Sequence, residues 1–486
     1  MTPQDLIPII PELILVLAGL LVLVVEPFLK ADKTANVAIA LTALLISGAA
    51  AVGLSGREQA AFTDMIVLND YAVFFKVLFA AAGALTVLMS PRYLEASGRH
   101  MGEYYALILF AVVGMDLMAA SRDLIAFYVG LELMAVSSYL LAGFLRYQVR
   151  SNEAAMKYFL TGAFASAITL YGISLVYGMA GTTNYEQVGA TLLAGGDGLG
   201  VALATALVLV GMGFKVSMAP FHMWTPDVYQ GAPTPVAAFF SVGPKAAGFA
   251  AMLMVFLTVF EVSRSTWSVL FIVLAVLTMF VGNAFALTQK NIKRMLAYSS
   301  IAHVGYLLAG LGALGRAGTD YFAGEAVLFY LAAYTFMNLG AFGILAYLKT
   351  QQPATFSYSL AEFAGLGRRS PWAAVLMGLF MFSLTGMPGT AGFVGKFYLF
   401  SSVVKADLAW LAVIAVLFSA VSAYYYLRVI VYMFFREPEV EYATKEPISG
   451  PLAASLALSA AAVVVIGLLP SWVLDAAQAS FGNFFG

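Results

Sequence analysis

Cysteine is absent from the 486 residues. That excludes disulfides, thiolate zinc sites and cysteine-held iron–sulfur clusters. Histidine is almost absent: His100, His222 and His303 are the whole supply. A bis-histidyl haem would have to take His222 and His303, and a second could not be ligated that way. Charge is scarce as well, at 10% Asp, Glu, Lys and Arg against about 25% in soluble domains. A soluble chain of this length would have too few charges to cover its surface. The net charge of -1 leaves no basic field for nucleic acid.

What is present is apolar. Hydrophobic residues make up 62% of the chain, and the mean hydropathy is +0.90, so the class is a membrane protein. The first apolar run, 13–25, follows no basic segment and has no small-residue cleavage pattern. It reads as a first span, not a removable signal peptide. Runs of about twenty apolar residues cross a bilayer as helices. They fall at 9–29, 34–54, 71–90, 103–121, 124–145, 157–179, 201–230, 235–260, 266–288, 295–315, 325–348, 372–402, 408–435 and 451–475. The expected fold is therefore all-α and polytopic, with about fourteen transmembrane helices. The seventh and twelfth are expected to be broken, at Pro220 and Pro226 and at Pro388.

Loop charges give an independent check. Alternate loops hold Lys30, Lys33, Arg92, Arg99, Arg146, Arg150, Lys290, Lys293, Arg294, Lys349, Arg368, Arg369, Arg436 and Lys445 on one side. The other side holds Arg57, Arg122, Arg264, Arg316 and Lys405. A missed or invented span would scramble this asymmetry. The positive-inside rule makes the richer side cytoplasmic, which leaves both termini outside. The expected location is a bacterial inner (cytoplasmic) membrane.

Six basic residues remain: Lys76, Lys157, Lys215, Lys245, Lys396 and Arg428. Lys157 and Lys76 lie near span ends, close enough to water to snorkel. Lys215, Lys245 and Lys396 are mid-span, where a lysine costs about 2.5–3.5 kcal/mol on insertion scales. Glu132 is the matching mid-span acid. Burial disfavours the charged form of both residue types, and an opposite charge nearby restores it. An acid among several lysines therefore meets the requirements of a proton relay, because moving one charge alters its neighbour's proton affinity. A static Glu132–Lys215 ion pair is the plainer alternative. His222 and His303 titrate in the useful range and serve as secondary candidates with Lys157. Asp116 and Asp123 lie near outer span ends, where a solvated or Arg122-paired turn is expected.

The two broken spans share a design. Gly213-Phe214-Lys215 sits beside a break at 218–220, and Gly392-Phe393 with Lys396 follows a break at 386–389. Five spans separate them, and an odd offset reverses the direction of travel. Broken, ionisable helices in oppositely oriented halves point to a transport pathway. Two inverted five-helix repeats are expected, spans 4–8 and 9–13. The chain then divides into an N-terminal three-helix segment at 1–102, repeats at 103–262 and 263–440, and a C-terminal helix at 441–486. The glycine-rich run 195–200 has no preceding strand and reads as a linker.

Three segments carry a family resemblance: 214–224 (FKVSMAPFHMW), 290–306 (KNIKRMLAYSSIAHVGY) and 383–396 (SLTGMPGTAGFVGK). They resemble the antiporter-like membrane subunits of respiratory complex I, the NADH–quinone oxidoreductase, and the likeness runs over nearly the whole chain. Subunit M has glutamate where Lys396 stands, and subunit L extends into a long lateral helix. The run 231–236 (GAPTPV) and the length are similar to the subunit N family. The resemblance implies a proton-translocating subunit with no redox centre of its own. Glu132 and Lys215 would be the coupling pair, Lys245 the central bridge and Lys396 the exit-side lysine, with Lys157 and His303 as lesser members. NADH, FMN, iron–sulfur clusters and quinone would lie in partner subunits. Implied partners are the antiporter-like M and L, the small subunits K, J, A and H, the peripheral arm and membrane lipids. The rival readings are a cation/proton antiporter subunit of the related multi-subunit family and a passive scaffold whose lysines lock helices.

Overall fold

The structure is a computed structural model that describes residues 3–29, 33–195, 198–316, 322–352, 356–438 and 447–485. Lys30 and Lys445 among the loop cations, Gly196 and Asp197 of the glycine-rich run, and both extreme termini lie outside the described residues. Helices dominate. In chain order they are α1 (Ile10–Val25), α2 (Thr34–Gly53), α3 (Asp70–Met89), α4 (Pro91–Ala96), α5 (Glu103–Ala120), α6 (Leu124–Ala142) and α7 (Val149–Ala180). There follow α8 (Tyr185–Gly195), α9 (Leu199–Val216), α10 (Thr225–Gly231), α11 (Thr234–Thr258), α12 (Arg264–Thr288), α13 (Ile292–Arg316) and α14 (Phe322–Gln351). The last six are α15 (Leu366–Arg369), α16 (Pro371–Thr385), α17 (Ala391–Lys405), α18 (Ala409–Phe435), α19 (Gly450–Leu468) and α20 (Ser471–Phe485).

Thirteen of these helices are long and apolar enough to cross a membrane. The pair α16–α17 makes one further crossing in two pieces, so the expected all-α polytopic class holds and the count of about fourteen matches. Burial sorts the bundle. The apolar windows of α11, α13 and α14 are each 94% buried, against 33% for α2, α18 and α19. The first three form the central layer. The outer helices present apolar side chains such as Leu17, Leu45, Val413 and Leu458 to their surroundings, as lipid contact requires.

The structure departs from the sequence reading in several places. α7 begins at Val149, two turns earlier than expected, so Arg150, Glu153 and Lys157 are helical. The last apolar run stops at Leu469-Pro470, where proline removes a backbone donor and disfavours the next helical turn, and α20 follows with Val473, Ala477 and Phe481 facing inward. A short antiparallel hairpin, β1 (Gln59–Ala61) and β2 (Ile66–Leu68), fills the second interhelical loop. Asp116 and Asp123 are not solvated turns. Asp116 is fully buried, while Asp123 caps α6 by accepting from the backbone N–H groups of Ile125 and Ala126. Arg122 pairs instead with Glu58 at 2.8 Å and Asp64 at 3.6 Å.

Close backbone contacts hold the inner helices in register. A Cβ on Gly114 of α5 would lie 2.5 Å from the Met134 nitrogen and 2.7 Å from the Gly130 oxygen of α6. Backbone cannot step aside as a flexible side chain would. Gly114→Ala is therefore expected to destabilise the protein by about 1–3 kcal/mol through overpacking. The check is a lowered melting temperature of the detergent-purified assembly. An unchanged value would mean that the two helices separate freely.

Candidate functional site

The breaks in the seventh and twelfth crossings are full interruptions. α9 ends with Ser217 in a left-handed conformation (φ 67), and the chain resumes a helix only at Thr225. α16 ends with Gly386 at φ 93, and α17 starts at Ala391. Each break frees carbonyls that a membrane interior must satisfy, and the two do so differently. In the first, Trp224 Nε1 donates to the Phe214 carbonyl at 3.1 Å, and the Ala219 nitrogen donates to Thr278 Oγ1 at 3.1 Å. In the second, Lys396 itself is the partner. Its Nζ donates to the carbonyls of Leu384 and Thr385 and to Ser419 Oγ, each at 2.9 Å.

Lys215 occupies the last turn of α9 and is 2% exposed. Its ammonium lies 5.2 Å from the ring centre of Tyr139 and 5.8 Å from that of Tyr158. The Tyr139 hydroxyl accepts a long hydrogen bond from it at 3.4 Å. Glu132 on α6 is half-buried and accepts a hydrogen bond from Ser166 of α7. Glu132 and Lys215 act on one another electrostatically, yet among the described residues no ion pair within 4.0 Å joins them. The plainer alternative of a locked ion pair therefore does not describe this arrangement.

Lys245 follows Pro244 inside α11, is 3% exposed and donates to Ser300 Oγ of α13 at 2.6 Å. α9 and α11 abut at this level, since a Cβ on Gly248 would meet Val216 at 2.6 Å. One turn beyond Ser300, His303 bridges three helices. Its Nδ1 pairs with the Tyr330 hydroxyl of α14 at 2.5 Å, and its Nε2 with the Tyr426 hydroxyl of α18 at 3.0 Å. Tyr306, one turn further along α13, presents its ring 5.4 Å from Lys396 Nζ. Ser300, His303 and Tyr306 thus line one face of α13 and stand between Lys245 and Lys396. The arrangement is a string of ionisable and hydroxyl groups on adjacent helices: Glu132, Lys215, Lys245, Ser300–His303 and Lys396. Groups of this kind hand protons along hydrogen bonds and through water.

His222 lies in the α9–α10 break, partly buried, with its Nδ1 lacking a hydrogen-bond partner. Lys157 stands apart from the string. It is 43% exposed and pairs with Glu153 and Asp227, each at 2.7 Å, while Asp227 also binds Arg294 at 2.5 Å. Arg428 caps α12, donating to the Leu287 and Gln289 carbonyls. The sequence reading missed Tyr139, Ser300, Tyr330, Tyr426 and Ser419. A signal for Ser300 was available in α13, whose polar residues recur at helical spacing on a buried helix.

Comparison with known proteins agrees with this arrangement. The NADH:quinone oxidoreductase/Mrp antiporter transmembrane family matches residues 121–422. NADH-quinone oxidoreductase subunit N of Trichlorobacter lovleyi is 48% identical over 97% of this chain and 96% of its own. Subunit N 1 of Solibacter usitatus is 44% identical over 99% and 98%. A chain of respiratory complex I from Thermus thermophilus, solved with bound aureothin, superposes with a TM-score of 0.80 at 34% identity, covering 97% of this chain and 100% of that one. A matched family domain that spans both broken crossings, together with full-length identity of this order, shows that the chain belongs to the NADH-quinone oxidoreductase subunit N family of antiporter-like membrane proteins.

Proposed function

We propose that this chain is a proton-translocating membrane subunit of an NADH–quinone oxidoreductase. In this reading electron transfer from NADH to quinone takes place in partner subunits, and the released energy drives protons through Glu132, Lys215, Lys245 and Lys396. The observation that carries it is the string of buried lysines on adjacent helices, spaced by hydroxyl groups and, among the described residues, free of direct ion pairs. A lysine locked to a carboxylate would hold its proton, whereas one that faces hydroxyls, carbonyls, aromatic rings and a distant acid can be tipped by a change in that acid's charge. Glu132, the most exposed member of the string, forms the coupling pair with Lys215. Lys245 is the central bridge, handing a proton by way of Ser300 and His303 toward Lys396 on the exit side. His222 is a secondary station in the break. Lys157 contributes at the surface end, through the Asp227–Arg294 network.

The same reading takes spans 4–8 and 9–13 as inverted repeats, each with one broken helix. It places both termini outside a bacterial inner membrane and the residues before 103 as an added three-helix segment. Flavin, iron–sulfur clusters and the quinone site are assigned to partner subunits.

Purification of the tagged chain from its native membranes tests the reading. Flavin and iron–sulfur proteins are expected to elute with it, together with NADH–quinone oxidoreduction that acidifies the vesicle interior. Recovery of the chain without them, with sodium–proton exchange once it is placed in vesicles, would favour the antiporter reading instead.

A further inference from the structure

Glu12, Lys76 and Asp116 lie outside the string of lysines and are buried as deeply. Glu12 in the first turn of α1 is 4% exposed, Lys76 in α3 is 1% exposed and Asp116 near the end of α5 is 0% exposed. Lys76 Nζ is 2.9 Å from Glu12 Oε1 and donates to the Pro8 carbonyl at 3.0 Å. Ala72 of α3 and Ala120 of α5, each one turn from Lys76 and Asp116, share a buried cluster on which Ile9 and Leu117 pack. This brings the three charged groups to one level of the bundle, where Glu12 and Lys76 act electrostatically on Asp116. Neither carboxyl oxygen of Asp116 has a hydrogen-bond partner, and beyond its ion pair Glu12 accepts no hydrogen bond.

Two carboxyls and one ammonium do not balance. With all three ionised, the site would hold a net negative charge away from water and a carboxylate without a donor. A buried carboxylate in that position takes up a proton, since the unpaired anion is far more costly than the neutral acid. Among the described residues, no hydrogen bond or ion pair from a neighbouring element reaches the Asp116 carboxyl. α2 and β2 carry no titratable side chain. On α6, Asp123 caps its own helix and Glu132 binds Ser166. Lys245 of α11 is held by Ser300. On α3, Asp70 accepts from the Gly56 nitrogen and Tyr71 donates to the Ala250 carbonyl.

We propose that Glu12, Lys76 and Asp116 form a further proton-binding site, in which two carboxyls share one exchangeable proton around a single ammonium. In one form Asp116 is the acid and Glu12 the carboxylate paired with Lys76. In the other the proton has moved to Glu12, and Asp116 is the partner of the same ammonium. Release of the proton leaves two carboxylates on one lysine, and uptake restores the neutral site. The site's position adds to its interest. A Cβ on Gly130 would lie 2.9 Å from Leu117 Cβ and 3.0 Å from the Met118 nitrogen, so the Asp116 turn of α5 packs on the Glu132 turn of α6. The inference does not depend on the roles proposed for the lysines, because the proton is present in the resting protein.

Infrared hydrogen–deuterium difference spectroscopy on the intact purified complex counts protonated carboxyls. Asp116→Asn is expected to lose the signal of one, since Glu12 then pairs with Lys76. Glu12→Gln is expected to lose one as well, because Asp116 gives up its proton to pair with the freed lysine. Lys76→Met is expected to gain one, with both acids then neutral. An Asp116→Asn spectrum without loss would mean that Asp116 is ionised, and a Glu12→Gln spectrum without loss that its proton is not shared. Either result overturns the proposal. If Asp116→Asn does not assemble, Glu12→Gln alone decides it.

Discussion

Lys215→Ala is expected to give an assembled complex whose turnover and proton pumping fall by roughly a hundredfold, the lower end of what loss of a positioned proton-transfer group brings. The structural side of the substitution is small. Among the described residues Lys215 forms no ion pair, and its long contact with Tyr139 at 3.4 Å is weak. Its ammonium faces the rings of Tyr139 and Tyr158, a cation–π arrangement worth about 0.5–2 kcal/mol. Against that loss, alanine removes the desolvation of a charge in a buried site, which offsets it. Lys215→Met controls for the volume left empty. The measurement is NADH–quinone turnover and vesicle acidification in membranes where a native gel shows the complex intact. Near-normal pumping by both variants would remove Lys215 from the path. Loss of the complex in both would instead support the scaffold reading.

The reach of the sequence differs between the fold and the site. Span number was legible because hydropathy and loop charge are independent measures of the same crossing, and both breaks were legible because clustered proline and glycine disfavour an uninterrupted helix. What escaped were features decided by packing. α20 has the inward spacing Val473, Ala477, Phe481, yet it merges by composition with the preceding apolar run. For the candidate site, ionisable residues stand out in an apolar chain, so Glu132, Lys215, Lys245 and Lys396 were visible one by one. Their partners were not. Tyr139, Tyr330 and Tyr426 come from three different helices, and nothing in a tyrosine's local sequence tells which lysine or histidine it will meet. Lys76 and Asp116 were misread for the opposite reason. Closeness to a span end suggested water, but α1 packs across that end of the bundle and brings Glu12 onto Lys76.

Lys396→Arg is expected to keep the complex intact and to abolish pumping through this chain. The break at Gly386 leaves the Leu384 and Thr385 carbonyls without helical partners, and Lys396 Nζ takes both of them along with Ser419 Oγ. Three acceptors match the three N–H groups of an ammonium, so the socket suits the charged form well. Two roles are compatible with that geometry. As a structural cap, the residue has only to present a cation and donors to the end of α16. As an exit-side relay, it must give up its proton, which turns one of the three donors into an acceptor and loosens the socket. Arginine separates the two, because it has donors enough to cap the same carbonyls but is effectively never deprotonated in proteins. The space is limited, since a Cβ on Gly386 would already lie 3.0 Å from Lys396 Cδ. Assembly must therefore be shown by native gel before any rate is compared. With the complex intact, electron transfer and acidification are measured together on the same vesicles. Full pumping by the arginine variant would leave Lys396 as the cap of α16 and move the exit elsewhere. Loss of pumping from an intact complex is the result a lysine that must release its proton requires.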